Sequence, residues 1–383
     1  MSAIRFVLTL SMLAIIGGAT VTWGEEATET AKVAKLGPDG GNRVYIPDMA
    51  FSHWVDGRVH VLDRQNLRYL GVIPAAYLPQ FVVAPDRKHL YVATTYYSRL
   101  NRGTRTDTID VWDAETLAVV KEIEVPPKHA LAIPYSSYLA LSEDGGTLYS
   151  QNATPASSVA IVDTAEGKFL SEIETAGCWG LYPAPGKVRR FSSLCGDGTV
   201  LTIDVDAKGK EIARKRSKRL FDPKDDALFT VAANTGAGKY LFMSFHGNVH
   251  LIDVSGSVAV QDEPWSIIPE KDSEGWRPGG YQPLTYNREL GRLYVGMHPK
   301  GGEGTHKAPA KEVWQFDVAK HSLVDRSPVE DATAISITND KSPSLFALSA
   351  NGTMSRFDAS GPLKKDGSLE SLVENAIELV AQY

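Results

Sequence analysis

Several features that would point to a familiar function are missing from this sequence. It has no low-complexity tract, no G-x-S-x-G nucleophile elbow, no H-E-x-x-H zinc motif and no G-x-x-x-x-G-K-[ST] phosphate loop. Basic residues are not in excess: 40 Lys and Arg stand against 46 Asp and Glu, for a formal net charge of −6. This mildly acidic balance argues against nucleic-acid binding. The length of 383 residues allows one large repeat domain or two to three smaller ones.

Long apolar runs are also absent after the first 24 residues. Arg5 precedes the apolar run FVLTLSMLAII and the small-residue run GGAT, a pattern typical of a signal peptide over residues 1–24. The alternative is an uncleaved membrane anchor, but the run from Phe6 to Ile16 is too short to span a bilayer comfortably. We therefore predict export, which leaves a net charge of −7. Residues 25–41 are polar and unpatterned, and we expect a flexible arm.

Candidate catalytic and metal-ligating residues do not converge. His246 and His250, in FHGNVH, straddle a turn between strands, so we expect packing roles rather than metal ligation. GGEGTHK (301–307) lacks the spacing of a phosphate loop and is followed by Pro309. Acidic residues occur at many turns, so no carboxylate pair stands out as general acid and base. We predict no catalytic residue and no metal site in this chain.

A strand that ends in aspartate recurs along the sequence. Seven copies are present, at spacings of 50, 50, 41, 49, 64 and 41 residues, and they end at Asp63, Asp113, Asp163, Asp204, Asp253, Asp317 and Asp358. A short turn follows each copy, and aspartate suits that position because its side chain can bond the turn backbone. Trp112 has no counterpart in the other copies, so Trp112-Asp113 is interpreted as a structural corner.

Units of 40–50 residues with four short strands are typical of a β-propeller. The sequence therefore predicts an all-β, seven-bladed β-propeller of four-stranded antiparallel blades over residues 42–383. NRVYIPD matches the second strand of a unit, so we expect the C-terminal IELVAQY (377–383) to supply the missing inner strand and close the ends in one blade. The same C-terminal residues also fit a helical stripe, which is the alternative.

The only two cysteines, Cys178 and Cys195, are predicted to form a disulfide because the chain is expected to be exported. They lie equally far from a turn at Gly186-Lys187, which places them opposite each other across adjacent strands. The alternatives, a catalytic thiol or a metal thiolate, have no supporting motif. Closing so short a loop stabilises a fold by about 3 kcal/mol at most.

Five stretches resemble the heavy subunits of quinoprotein amine dehydrogenases. The first, TTYYSRLNRGTRTDTIDVWDAETL (94–117), contains the Arg-x-x-Arg-Gly-x-Arg-Thr-Asp run that precedes a blade strand in that family. The others are QNATPASSVAIVD (151–163), GCWGLYPAPGKVRRFSSLCGDGTVLTID (177–204), EGWRPGGY (274–281) and RLYVGMHPKGGEGTHKAPAKEVWQFD (292–317). The resemblance covers nearly the whole chain after residue 24. It is closer to the aromatic amine dehydrogenase heavy subunit than to that of methylamine dehydrogenase.

This resemblance implies a seven-bladed propeller and a periplasmic oxidoreductase for primary, aromatic or other bulky amines. It also implies that the tryptophan tryptophylquinone cofactor and the catalytic base reside on a small disulfide-rich light subunit, with two heavy and two light chains in the enzyme. Electrons would pass to a blue-copper protein such as azurin or amicyanin. The heavy chain would act as a scaffold that completes the substrate channel.

The resemblance also implies roles for individual residues. In RVYIPDMAFSHW, Phe51 occupies the position of an aromatic residue that lines the substrate channel, and His53 and Trp54 are close by. Arg99, Arg102 and Arg105 either face the light chain or brace a neighbouring loop. WRPGG and GGEGTHK, in the longest inter-repeat segment, are further candidates for an interface.

Two interpretations from other classes compete with the amine dehydrogenase. One is a solitary exported propeller that binds a ligand or partner without catalysis. The other is a propeller hydrolase with a metal in its central channel, against which the lack of convergent His, Asp and Glu motifs argues.

Overall fold

The computed structural model describes residues 35–381 apart from 134, 187–188, 237 and 270–274. The predicted signal peptide, residues 25–34 of the predicted arm and the last two residues of IELVAQY lie outside the described residues. Residues 35–41 are attached to the fold, because the Leu36 amide donates to the Glu115 carbonyl at 2.8 Å and the Tyr45 hydroxyl donates to Asp39 at 2.8 Å. In the described part of the chain, no helix is long and apolar enough to cross a membrane.

The described residues form an all-β structure of antiparallel strands, which confirms the predicted fold class. The only helical elements found in them are the two short 3₁₀ helices η1 (Phe51–His53) and η2 (Ser136–Tyr138). The first six strands form one sheet in chain order: β1 (Arg43–Asp48), β2 (Gly57–Asp63), β3 (Tyr69–Val83), β4 (His89–Tyr97), β5 (Arg105–Asp113) and β6 (Val119–Val125).

Two four-stranded sheets follow. The first consists of β7 (Leu139–Leu141), β8 (Thr147–Asn152), β9 (Ser158–Asp163) and β10 (Lys168–Glu174). The second consists of β11 (Cys178–Pro183), β12 (Arg190–Cys195), β13 (Val200–Val205) and β14 (Glu211–Arg216).

The C-terminal half contributes two larger sheets. One contains β15 (Ala233–Gly236), β16 (Lys239–Met243), β17 (Asn248–Asp253), β18 (Val260–Gln261) and β19 (Trp265–Ser266). The other contains β20 (Arg277–Pro278), β21 (Leu284–Asn287), β22 (Arg292–His298), β23 (Ala310–Asp317), β24 (Ser322–Ile337), β25 (Ser344–Ser349), β26 (Met354–Asp358) and β27 (Lys364–Leu369).

Two long strands, β3 and β24, each belong to two groups of strands. The first part of β3 pairs with β2 up to Ala76, and its second part pairs with β4 from Tyr77. In the same way β24 pairs first with β23 and then, from Ala332, with β25. When both strands are divided at these points, the pairings fall into consecutive antiparallel groups, which we number in chain order: β1, β2 and the first part of β3; the second part of β3 with β4, β5 and β6; β7–β10; β11–β14; β15–β19; β20–β23 with the first part of β24; and the second part of β24 with β25–β27. These groups agree with the predicted seven units. The count of blades itself stays a prediction.

Apolar clusters hold each group against the next one along the chain. Val61 and Ile73 of the first group pack with Leu90 and Val92 of the second, for example. The last group returns to the first, because Phe346 packs in one cluster with Val44 and Leu62. Cyclic packing of this kind is what a multi-bladed propeller requires, since it buries both faces of every sheet.

The repeated aspartates mostly act as predicted. They end the third strand of their groups, and their carboxylates accept hydrogen bonds from the turn that follows: Asp113, for instance, accepts from the amides of Glu115 and Thr116 at 3.1 and 2.8 Å. Asp204 is the exception, because its carboxylate pairs with the Arg190 guanidinium. The turn there is bonded by Asp206, two residues later, which accepts from the amides of Lys208 and Lys210.

The two ends of the chain meet in the first group. Tyr45 of β1 and Val380 exchange two backbone hydrogen bonds, of 3.0 and 2.8 Å, in an antiparallel bridge. The described part of the C-terminal segment contains no helix, so the structure favours the predicted closing strand over the helical alternative. The pairing is shorter than predicted, a single bridge rather than a strand.

The inner strand of the fifth group is also shorter than the sequence suggests. ALFTVAAN (227–234) is a mostly apolar run that we expect to form an inner strand, yet β15 begins only at Ala233. Leu228 instead forms an isolated bridge with Ser244, and the Phe229 amide donates to the Met243 carbonyl at 2.9 Å. Residues 227–231 therefore form a less regular segment, which lines a cavity described below.

The structure contains the predicted disulfide between Cys178 and Cys195, which lie directly opposite each other on β11 and β12. The Cys178 amide donates to the Thr175 carbonyl, and the Cys195 amide donates to the Thr199 carbonyl. Because neither amide bonds to the other cysteine, the two cysteines form a non-hydrogen-bonded pair. Both are buried in the cluster between the third and fourth groups.

Candidate functional site

The chain's candidate residues lie on the loops at one end of the groups. In a four-stranded antiparallel group, the connection that enters the first strand and the turn between the second and third strands lie at the same end. We call this the entry end. The second-to-third turns there include residues 49–56, 98–104, 245–247 and 299–309. The entry end therefore brings together Phe51, two of the three candidate arginines and GGEGTHK.

Phe51 lies in the turn between β1 and β2, where the chain forms η1. The turn begins with Ala50 in the left-handed conformation, at φ 45°. Phe51 and Trp54 are exposed, at 36% and 43%, and their rings meet edge to face with centroids 5.1 Å apart. Two large aromatic side chains on the surface form an apolar patch of the kind that partners or ligands cover. His53, between them, is also exposed.

The C-terminal segment fixes this turn in place. The amides of Phe51 and Ser52 donate to the side chains of Asn375 and Glu374, at 2.5 and 2.8 Å. In the other direction, the Asp48 carboxylate accepts from the amides of Glu374, Asn375 and Ala50. Burial disfavours the charged form of Asp48, but the hydrogen bonds from these amides and the His60 imidazole, whose Nε2 lies 3.8 Å from the carboxylate, hold the pKa of its carboxyl below the ordinary value.

The three candidate arginines have different surroundings. Arg105 is a brace: its guanidinium donates two hydrogen bonds of 2.7 Å to Asp107, whose side chain is fully buried, and a third of 3.0 Å to the His129 carbonyl. Arg99 and Arg102 lie at the tip of the β4–β5 turn and are exposed. The sequence leaves two alternatives open for these arginines, bracing a neighbouring loop or facing a partner chain. Arg105 braces the structure, whereas an interface role for Arg99 and Arg102 stays a prediction.

A cavity of about 660 Å³ opens at the same end, between connections of the third, fifth and sixth groups. Aromatic side chains dominate its apolar lining: Tyr135, Phe229, Phe245 and Tyr281. Charged and titratable side chains complete it: Lys224, Asp225, His246, Glu303, His306 and Lys307. A volume of this size accommodates a ligand larger than a few atoms.

Hydrogen bonds position the polar groups of this cavity. Asp226, next to the lining residue Asp225, accepts from the His246 amide and from the Asn248 side chain, both at 2.8 Å. The Lys307 ammonium lies 5.5 Å from the centroid of the Tyr281 ring. Burial and the neighbouring Lys307 lower the pKa of His306, which favours its neutral form.

The Phe51 turn and the cavity are both adjacent to one buried apolar cluster. Met49, Leu78 and Ile377 form a buried cluster, against which Ile133 and Tyr281 pack. Met49 lies two residues before Phe51, whereas Tyr281 lines the cavity. This buried apolar cluster thus connects the Phe51 turn to the cavity, and we call the two together the aromatic region at the entry end.

The structure also shows the surroundings of the GGEGTHK segment and of the two histidines in FHGNVH. GGEGTHK forms a compact loop in which the Thr305 hydroxyl donates to the Gly302 carbonyl at 2.8 Å, and its residues Glu303, Gly304, His306 and Lys307 line the cavity. His250 is buried and its Nδ1 lies 3.2 Å from the Gln261 side-chain oxygen, a packing role as expected. His246 differs from it, because it lines the cavity.

The aromatic lining of the cavity is not predictable from the sequence patterns described above. Tyr135, Phe229 and Tyr281 lie on connections that enter first strands of three different groups, so nothing in their spacing along the chain relates them. The one available signal is the long segment between β14 and β15, residues 217–232, which exceeds what a turn requires.

The described residues contain no group of three or more His, Cys, Asp or Glu side chains arranged to hold a metal ion. Trp276 and Trp314 have ring centroids 5.4 Å apart, but Trp314 is fully buried and its indole N–H donates to Glu312 at 2.7 Å. The Arg326 guanidinium covers both rings. This tryptophan pair is core packing and does not fit the requirements of a quinone, whose oxygens must reach a substrate.

Fold and site together define a class: an all-β propeller-type protein with an aromatic surface and cavity at one end. The family model for the methylamine dehydrogenase heavy chain matches residues 40–375, and the chain belongs to that family. It is 26% identical to the methylamine dehydrogenase heavy chain of Methylophilus methylotrophus over 91% of this chain and 87% of the relative. It is 27% identical to that of Paracoccus versutus, over 87% and 78%.

Solved structures with little sequence identity share the fold. A functionally unknown protein from Desulfotomaculum acetoxidans superimposes with a TM-score of 0.60 at 11% identity, covering 88% of this chain and 98% of that one. A dihydro-heme d1 dehydrogenase superimposes with a TM-score of 0.54 at 16% identity, covering 89% and 76%. At these identities the comparison bears on the fold alone.

Proposed function

We propose that this chain is the heavy subunit of a periplasmic, tryptophan tryptophylquinone-dependent amine dehydrogenase that oxidises aromatic or other bulky primary amines to aldehyde and ammonia. Membership of the methylamine dehydrogenase heavy-chain family supports an amine dehydrogenase. A small disulfide-rich light subunit carries the quinone, and two heavy and two light chains assemble. The quinone supplies the oxidation of the amine, and its electrons leave to an azurin- or amicyanin-like blue-copper protein.

The observation that carries the bulky-amine proposal is the aromatic region at the entry end. A cavity of about 660 Å³ far exceeds what methylamine fills, and Phe229, Phe245 and Tyr281 give it an aromatic lining that suits an aromatic substrate. Phe51, held by the Asn375 side chain, is exposed at the neighbouring turn. We propose that Phe51 lines the approach of the amine to the light subunit.

In this proposal the heavy chain acts by binding, orienting and excluding water. Phe51 and Trp54 form the apolar edge of the channel, and their turn is rigid because Asp48 and the 374–375 segment bond its backbone. Covering the quinone with an apolar surface keeps bulk water from the reaction, which protects reactive intermediates from hydrolysis. Arg99 and Arg102 are proposed to contact the light chain.

Purification of the native protein from its source tests the proposal. We expect the chain to co-purify with a small, disulfide-rich subunit that has quinone absorbance, and the complex to oxidise phenethylamine with higher kcat/KM than methylamine. The recombinant heavy chain alone is expected to be inactive. Amine oxidation by the isolated chain would contradict the proposal, and a native chain without a quinone subunit would favour the alternative, a stand-alone exported propeller that binds a ligand or partner.

A further inference from the structure

A second cavity, of about 410 Å³, lies between the first and second groups and shares no lining residue with the first cavity. It is built from β3, β4, β5 and β6, with Val55 and Leu100 contributed by the adjacent turns. Its position between two strand groups, rather than on a single loop, gives it walls that are fixed by the sheets.

A buried carboxylate forms part of this cavity. Asp110, which is 3% exposed, accepts hydrogen bonds from the Tyr96 hydroxyl at 2.6 Å and the Thr108 hydroxyl at 2.8 Å, one on each oxygen. A carboxylate offers about four acceptor positions, so acceptor capacity remains. Burial raises the pKa of Asp110 above its ordinary value, since no cation offsets the lost hydration.

A second carboxylate stands beside it. Glu122 of β6 is the direct cross-strand partner of Asp110 on β5, and it lies exposed at the edge of the cavity. Like charges directly opposite each other in a sheet are destabilising. Among the described residues, no Lys, Arg or His nitrogen forms an ion pair with either carboxylate. The pair therefore presents a negative charge that this part of the chain does not neutralise.

Aromatic side chains line the same cavity as the two carboxylates. Tyr77, Tyr96, Tyr97 and Trp112 line the cavity, and the rings of Tyr77 and Tyr97 meet edge to face with centroids 5.3 Å apart. Trp112 is 7% exposed and its indole nitrogen has no hydrogen-bond partner in the described structure. Electron-rich ring faces attract ammonium groups, and they do so more strongly where water is excluded.

From these contacts we infer that this cavity is a binding site for a primary ammonium ion that carries an aromatic or aliphatic group. The ammonium group donates to Asp110 and Glu122, which relieves the repulsion between them, and the hydrocarbon part packs on Tyr77 and Tyr97. The site adjoins the Phe51 turn through Val55 but shares no lining residue with the first cavity, and the inference stands on its own contacts whatever the enzyme's substrate is.

Titration calorimetry of the full-length heavy chain with phenethylammonium chloride tests this inference. We expect binding by the unaltered chain, and a loss of affinity of about tenfold or more in Asp110→Asn and in Glu122→Gln, because each removes a charge-assisted hydrogen bond. Glu124→Gln is the matched control: it changes an exposed acid on the same strand that does not line the cavity, and its affinity should equal that of the unaltered chain. The neutral analogue 2-phenylethanol should bind at least about tenfold more weakly.

Two outcomes would overturn the inference. Equal affinity of the unaltered chain, Asp110→Asn and Glu122→Gln would place the ligand elsewhere, and equal affinity for 2-phenylethanol would show that the charge is not recognised. Circular dichroism and thermal unfolding establish that the variants are folded. Glu122 is exposed, so Glu122→Gln keeps the test decisive even if Asp110→Asn does not fold.

Discussion

The carboxylate of Asp48 accepts hydrogen bonds from the amides of Glu374 and Asn375, which lie 326 and 327 positions further along the chain. These bonds connect the end of the first strand to the C-terminal segment, directly beneath the Phe51 turn. The contact between distant parts of the sequence thus positions the candidate channel residue, and its removal should affect both stability and function.

Replacing Asp48 by Asn should destabilise the chain by about 2 to 4 kcal/mol, because charge-assisted bonds to backbone amides become neutral or are lost. Urea unfolding measures the change. The pKa of Asp48 is held low in the folded chain, so its stabilising contribution is present above the unfolded-state pKa and is lost as the pH falls through the folded value. Asp56→Asn, at an exposed position of the same turn, is the control and should be nearly neutral.

Glu378 should make the folded chain progressively less stable as the pH rises from acidic to mildly alkaline values. Its carboxyl is buried, neither oxygen has a hydrogen-bond partner among the described residues, and burial raises its pKa to about 8. The folded chain therefore binds this proton more tightly than the unfolded chain, and stability falls as the pH rises from about 4.5 to about 8. Glu378→Gln should remove this fall.

The measurement for Glu378 is thermal unfolding of both chains across pH 5 to 9. At pH 5 the two should be similar, and at pH 9 Glu378→Gln should be more stable by about 3 to 5 kcal/mol, from 1.36 kcal/mol per unit of pKa difference. Parallel curves for the two chains would show that Glu378 does not titrate in this range.

Among the three arginines, only Arg105 should matter for stability. Arg105→Ala leaves the fully buried Asp107 carboxylate without its guanidinium, and we expect a loss of about 2 to 4 kcal/mol in the free energy of unfolding. Arg99→Ala and Arg102→Ala should unfold like the unaltered chain but weaken association with the light subunit, which gel filtration of the mixed subunits measures. A stability loss of similar size in all three variants would contradict this division.

Phe51→Ala should change substrate preference rather than stability, because Phe51 is exposed and its backbone makes the bonds that hold the turn. In the assembled enzyme we expect kcat/KM to change several-fold for phenethylamine relative to methylamine. Phe51→Leu, which keeps an apolar side chain, is the matched variant. Its ratio of kcat/KM values should lie between those of the unaltered enzyme and Phe51→Ala. An unchanged ratio of kcat/KM values in Phe51→Ala would remove Phe51 from the channel.

Losing the constraint that the disulfide places on the unfolded chain should cost no more than about 3 kcal/mol, since the closed loop is short. The double change Cys178→Ala with Cys195→Ala, compared with the unaltered chain in urea, measures this cost together with any loss of packing. Both positions are buried against Tyr149 and Phe191 in the same cluster, so part of the loss comes from packing. Reduction of the unaltered chain with dithiothreitol separates the two contributions, because it leaves the sulfur atoms in place.

Local patterns were enough to predict the repeat, the strand ends and the cysteine pairing. Aspartate after an alternating strand predicts a turn because the interaction spans only two or three residues, as at Asp113. At Asp204 the same pattern failed, since a cross-strand arginine competes for the carboxylate and a second aspartate follows two residues later.

Local sequence patterns could not predict the contacts between different groups of strands. The cavity between the first two groups combines Pro74 and Tyr77 with Trp112 and Glu122, which no short motif connects. Likewise, the apolar run ALFTVAAN suits an inner strand, but its first half lies outside β15 and lines the larger cavity. The resemblance to amine dehydrogenases implied a channel role for Phe51 but could not show what holds its turn.

The meeting of Tyr45 with Val380 also matters for partly folded molecules. The apolar side chains of the first strand, Val44 and Ile46, are covered partly by Leu379 and Ala381. A molecule in which the segment around Val380 has not yet docked therefore leaves one flank of the first sheet uncovered. We expect such molecules to be the most vulnerable to aggregation and proteolysis.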